Sequence, residues 1–177
     1  VGVSLVANIV VDHTTAKIGD ADVDAAGIIE VAAEHAIAPA DVALDPLPVG
    51  DIPIDLPIDF NSVAAAGGVG KDTGVGVSAS INVYTTFTSA YIDDGAEINW
   101  ADPSTVQSDG QNVVVRATDK TEIISFAGAL GGGKTGVGVG LDAGVVVKET
   151  QAWIADTAVV SAAGNIDSDT FVDGWMM

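Results

Sequence analysis

Apolar and polar residues alternate one by one over long stretches of this chain. In 75–84 (VGVSASINVY), Val75, Val77, Ala79, Ile81 and Val83 take the odd positions and Gly76, Ser78, Ser80, Asn82 and Tyr84 the even ones. A period of two marks a β-strand whose two faces differ, and the apolar face is the one expected to be buried. Residues 137–147 repeat the pattern, with Val137, Val139, Leu141, Ala143, Val145 and Val147 on the matching face. The phase then slips at Asp12-His13, Thr86-Phe87 and Lys148-Glu149, which predicts a bend between two shorter strands. No segment keeps a helical period. The closest, 25–38 (AAGIIEVAAEHAIA), aligns with the β-branched VVVRATDKTEIISF and is expected to be a strand.

The alternation recurs because the chain repeats itself. VGVSLVANIVVDHTTAKI (1–18), VGVSASINVYTTFTSAYI (75–92) and VGVGLDAGVVVKETQAWI (137–154) align without a gap, with starts offset by 74 and then 62 residues. All three open on Val-Gly-Val and close on Thr-x-Ala-x-Ile: Thr14, Ala16, Ile18; Thr88, Ala90, Ile92; Thr150, Ala152, Ile154. A glycine-rich stretch with a Lys and a Thr leads into the second and third copies, at 65–74 and 127–136. The segment 39–60 (PADVALDPLPVGDIPIDLPIDF) has no counterpart in the second copy and holds five of the six prolines. Proline lacks the donor a central strand needs, so this insertion is placed as an extended, protruding loop. The alternation of Ile54, Leu56 and Ile58 makes it a candidate partner surface lying along the body.

Composition agrees with thin, regular β layers. Val, Ile and Ala carry the 48% hydrophobic fraction, and aromatics supply only 5%. A repeat of this size cannot bury its apolar face alone, but stacked copies share one continuous core. The expected fold is all-β, a single parallel β-solenoid segment over 1–177 with copies starting near 1, 75 and 137 and a Pro-rich loop at 39–60. With roughly 20 residues per coil the chain makes about 8 or 9 coils in a rod ~40 Å long. Equivalent Thr-x-Ala-x-Ile segments then stand about three coils apart and do not touch.

The pattern of Val-Gly-Val, an alternating strand with Asn8 or Asn82, and then Thr-x-Ala-x-Ile resembles repeats of large bacterial surface proteins of the filamentous haemagglutinin-like and leukotoxin-like adhesin type. The resemblance implies a right-handed parallel β-helix exported to the cell surface as a stalk, adhesin or filament segment; separately, with Arg116 the sole Arg to stabilise an anionic intermediate, no enzymatic activity is expected. Gly144 stands where the other two copies have Asn, and the Pro-rich insertion falls outside the repeat. The start at Val1, inside a strand pattern, reads as a fragment or a processed piece.

Charge and motifs narrow the chemistry. The 25 Asp and Glu against 6 Lys and Arg give a formal charge of -19, a field that repels polyanions and excludes nucleic acid as a partner. Apolar runs are too short or too interrupted for a membrane-spanning helix. An outer-membrane barrel is disfavoured because the positions expected to face outward carry Ser, Asn, Asp and Lys. Residues 128–135 (GALGGGKT) match the P-loop pattern, but a strand pattern follows instead of the helix that would hold phosphate. Asp20, Asp22 and Asp24, and Asp167, Asp169 and Asp173, have the alternating oxygen spacing of half a calcium loop and are the candidate Ca2+ ligands; no other cofactor is expected. His13 and His35 share no metal-ligand spacing.

Among the aromatics Tyr84, Tyr91, Trp100, Trp153 and Trp175, Tyr91 and Trp153 align with Lys17, are expected outward, and form a candidate glycan- or host-facing surface. The leading expectation is a structural or adhesive segment outside the cell, partnered by like copies stacked end to end or by neighbouring repeats of a longer chain. The alternative is a carbohydrate-binding β-sandwich built from antiparallel hairpins.

Overall fold

The computed structural model describes residues 1–41, 59–100 and 110–176. Among them are thirteen strands and no helix: β1 (Gly2–Ile18), β2 (Asp22–Val23), β3 (Ile29–Ile37), β4 (Ala40–Asp41), β5 (Asp59–Phe60), β6 (Ser62–Val69), β7 (Thr73–Ile92), β8 (Glu97–Ile98), β9 (Val113–Ile123), β10 (Ser125–Gly132), β11 (Thr135–Ile154), β12 (Val159–Val160) and β13 (Ile166–Met176). The chain passes three times through the same course, and equivalent strands pair in parallel: β1-β7-β11, β2-β8-β12, β3-β9-β13 and β6-β10. Among the described residues only β4 and β5, at the two ends of the Pro-rich insertion, pair antiparallel. Residues 42–58, with Ile54, Leu56 and Ile58, lie outside the described residues.

The register follows the repeat. Val3, Val77 and Val139 form one column, Asn8 sits on Asn82, and Ala16, Ala90 and Ala152 form another column. One pass of the chain therefore takes 74 and then 62 residues, as Gly2↔Gly76 and Gly76↔Gly138 show. This corrects the expectation of coils of roughly 20 residues: there are three layers, spaced by about 4.8 Å. The Thr-x-Ala-x-Ile segments lie directly against one another. Parallel pairing is also at odds with the antiparallel hairpins of a β-sandwich.

The predicted bend is absent. β7 runs unbroken over twenty residues, and its even positions face inward from Gly74 to Ile92. What changes along the strand is the chemistry of the inward side. In the C-terminal part Ala90 and Ile92 point inward and pack with Ile29, Val31, Ala33, Ile98, Val113, Val115 and Ala117 in a conventional apolar core. In the N-terminal part Ser78, Ser80 and Asn82 point inward and are buried, while Val75, Val77, Ala79, Ile81 and Val83 face out. The sequence-based assignment of faces is thus inverted there.

The cause is the neighbouring layer. β6 turns back at 70–72 into β7, β10 turns back at 133–134 into β11, and the β6-β10 sheet lies flat against the first halves of β1, β7 and β11. Its inward residues are Ser62, Ala64, Ala66, Gly68, Ser125, Ala127, Ala129 and Gly131, opposite inward Gly74, Gly76, Gly136 and Gly138. Two sheets this close leave room only for very small side chains. The bulky residues have to point away, and they do.

Candidate functional site

Two features of this architecture carry functional chemistry: a buried polar clamp where the thin part meets the apolar core, and a set of surfaces left uncovered.

The clamp occupies the columns where the phase break was predicted. Asp12, Thr86 and Lys148 stack across β1, β7 and β11, and His35 stacks on Asp119 across β3 and β9. Asp119 is fully buried. Its carboxylate accepts hydrogen bonds from Thr86 Oγ1 (2.6 Å) and Thr121 Oγ1 (2.8 Å) and pairs with Lys148 Nζ at 3.2 Å. His35 Nδ1 lies 3.6 Å from Asp119, and its Nε2 reaches Asp12 at 3.2 Å. Lys148 also donates to the Asp173 carbonyl at 2.6 Å. Burial by itself would raise the Asp119 pKa. The bonds from Thr86, Thr121 and Lys148, with the Lys148 charge, outweigh it and hold the carboxyl below the ordinary carboxylate value. The donors to Asp119 come from layers two and three, which the cluster ties together, while His35 of layer one bonds to Asp12 of the same layer and its buried Nδ1 makes no hydrogen bond among the described residues.

A second polar net lies in the thin part. Asn8 donates to Asn82 (3.3 Å) and to the Asn61 carbonyl (3.0 Å), Asn82 donates to Ser80 (3.0 Å), and Ser80 pairs with Ser62 (2.8 Å). Asn61 Oδ1 in turn accepts the Ile124 N–H at 2.7 Å. This pairing is what allows Ser62, Ser80 and Asn82 to be buried there, whereas the buried Ser78 hydroxyl has no partner among the described residues. Near the far turns, Asn99 holds a left-handed backbone (φ 54) and joins Ala25 to Ser161 through its amide, and buried Gln111 likewise bridges Ala25 and Ala163.

The sequence-predicted residues are distributed as follows. Lys17, Tyr91 and Trp153 form one outward column: the Tyr91 and Trp153 rings stack at 4.2 Å and 7°, and Lys17 Nζ lies 5.7 Å from the Tyr91 ring centre. Tyr91 is therefore covered by its own neighbours, and the outer ring face of the column belongs to Trp153. Trp153→Ala is expected to lower stability by about 1 kcal/mol, read by urea denaturation. Tyr84 points inward and is buried, which removes it from any sugar-facing surface. Burial raises its phenol pKa, against an opposing hydrogen bond with Asn8.

Trp100 is exposed, and Trp175 has no described side chain. Asp20, Asp22 and Asp24 are exposed around β2, and Asp167, Asp169 and Asp173 alternate along the outer side of β13, apart from the first group. Among the described residues no group of three or more His, Asp or Glu is placed to hold a metal ion. The P-loop-like stretch forms strand β10 and its turn, and strand β11 follows where that motif requires a helix.

Sequence reasoning missed Asp119 and Lys148. The signal was present in the Asp12, Thr86 and Lys148 column, which breaks the apolar alternation at the same position in all three copies.

The uncovered surfaces are of two kinds. The third layer leaves its inner side chains open: Ile166 and Val172, stacked on buried Val113 and Asp119, are 48% and 55% exposed. The outward face of β1-β7-β11 presents Val3, Leu5, Ile9, Ile81, Val139 and Leu141, all exposed. Positions expected to face outward as polar are thus apolar, which removes the compositional ground for setting aside a membrane barrel; parallel pairing still differs from the antiparallel strands of such barrels. No helix among the described residues is long and apolar enough to cross a membrane. No family model, curated protein or solved structure matches this chain.

Proposed function

We propose that this chain is a segment of a parallel β-solenoid at the bacterial cell surface, with a structural or adhesive role as part of a stalk or filament, and that it grows by adding like layers at its open end. The observation that carries this reading is the third layer itself. Its edge strand β11 is twenty residues long, and the inward side chains behind β13 are half exposed, as a core position is when its next layer is missing. A long unpaired edge is a template for another strand.

The donors of that edge can be assigned. Thr135 N–H reaches the Asp72 carbonyl and Ala155 N–H the Ile92 carbonyl, so odd-numbered amides point back into the stack. In a parallel ladder the even-numbered ones, Gly144 among them, point outward to the open edge. Gly144→Pro removes a donor that only an added layer would use. At increasing concentration the wild-type chain is expected to grow into open-ended assemblies by light scattering, and the Gly144→Pro chain to lose that growth while keeping its circular dichroism. Equal growth of both chains, or no growth of either, would overturn the stacking reading. The parallel layers and the diversion of Asp119 and His35 into structural bonds support a non-catalytic role.

A further inference from the structure

We infer that the apolar outer face of β1-β7-β11 is a second interface, by which two copies of this chain pair laterally, sheet against sheet. The inference is independent of end-to-end stacking, because it uses side chains on a face and not backbone groups on an edge.

The face is continuous and uncharged. Along β1 it presents Val1, Val3, Leu5, Ile9 and Val11, of which Val1, Val3 and Ile9 are at least 75% exposed; β7 adds Ile81, and β11 adds Leu141 at 64%. The first charged residue outward on β11 is Glu149, and Asp12 and Lys148 turn inward to the clamp. The outer face of β3-β9-β13, by contrast, carries Glu30, Glu34, Arg116 and Lys120 in ion pairs. In a chain of net charge -19, so long a neutral strip lets two copies meet without opposed carboxylates.

Its size fits a modest dimer. Eleven residues per strand span about 36 Å and three strands about 14 Å, a footprint of about 500 Å² per copy and about 1,000 Å² for the pair, the lower bound for a specific interface. A second copy brings a surface of identical length, width and pleat, as a two-fold interface requires, and aligned apolar sheets pack at about 10 Å. Hydrocarbon is a poorer occupant, because the unpaired edge of β11 borders the face and cannot be satisfied in lipid.

The test uses the Gly144→Pro chain, in which end-to-end growth is blocked, and in parallel the full wild-type chain. By sedimentation velocity the Gly144→Pro chain is expected at twice the monomer mass at tens of micromolar. Adding Val77→Lys and Leu141→Lys on the outward face should return it to monomer with unchanged circular dichroism. Because Lys lowers the net negative charge, general repulsion cannot explain that loss.

The wild-type chain has no Cys. Ala79→Cys, at the middle of the central strand, should therefore cross-link through a short bis-maleimide at least tenfold more than Thr118→Cys on the outer side of β9. The pairing is overturned by a monomer at all concentrations, by self-association that survives the two lysines, by equal cross-linking at both cysteines, or by a monomer that floats with phosphatidylcholine vesicles.

Discussion

Replacing Asp119 by Ala is expected to cost about 3–5 kcal/mol of folding stability, the usual penalty for breaking a buried charged pair by removing one partner. Asp119 is fully buried and takes hydrogen bonds from Thr86 and Thr121 as well as the charge of Lys148. Without it, two hydroxyls lose their acceptor and a mostly buried ammonium its counter-charge. Asp119→Asn keeps the shape and one oxygen and should lose less. Urea denaturation measures both, and a loss below 1 kcal/mol for the Ala variant would show that the clamp does not hold the layers.

The same residue sets an acid limb. Its folded pKa lies below the ordinary carboxylate value, so on acidification the unfolded chain takes up the proton first. The Asp119 contribution is complete above about pH 4 and is lost as the pH falls through the lower folded value. Wild-type stability should thus fall more steeply than that of Asp119→Asn in this window, and parallel curves would contradict the assignment.

The repeat was legible because stacking like on like leaves a mark in the sequence. Asn8 over Asn82, Ala16 over Ala90 over Ala152 and Ile18 over Ile92 over Ile154 are columns that the gapless alignment already contained. Strand character was legible too, including β3, where Ala and Glu compete with β-branched residues. Alternation alone does not say which side of a strand is inside. It reports only that the two sides differ, and the side buried is decided by the distance to the facing sheet. Around Ala90 and Ile92 that distance admits a normal core, and the apolar residues go in. Around Gly76 it does not, and Val goes out.

The apparent phase slip at Thr86 was this exchange of sides, seen without the second sheet. The coil length was misjudged for a related reason: a pass that turns back on itself through β6 and β7 needs far more residues than one that only circles a core. The clamp at Asp119 was hidden because its partners are 33 residues away at Thr86 and on a different layer at Lys148. No local spacing encodes such a meeting.

Gly76→Val is the substitution where sequence propensity and this architecture disagree most. By strand preference alone it should stabilise, because Val favours a pleated strand and Gly weakens one. A Cβ at Gly76, however, would overlap the carbonyl oxygen of Leu130 and come within 3.2 Å of the Ala66 carbonyl oxygen. Both are backbone atoms of the facing sheet and cannot swing aside as a side chain could. Admitting the side chain requires the sheets to part, and parting them exposes the Ser62–Ser80 and Asn8–Asn82 bonds to water.

The expected cost is about 3 kcal/mol, near the upper end for overpacking, or a drop of about 10 °C in the thermal midpoint. Val77→Thr, one residue along and facing out, should change stability by less than about 0.5 kcal/mol. Gly138→Val, whose Cβ would meet the Ala129 carbonyl, should follow Gly76→Val in sign. Thermal denaturation of the three variants decides the matter. If Gly76→Val matches or exceeds the wild-type midpoint, the close approach of the two sheets is wrong, and with it the reason Val, Leu and Ile stand on the outer face.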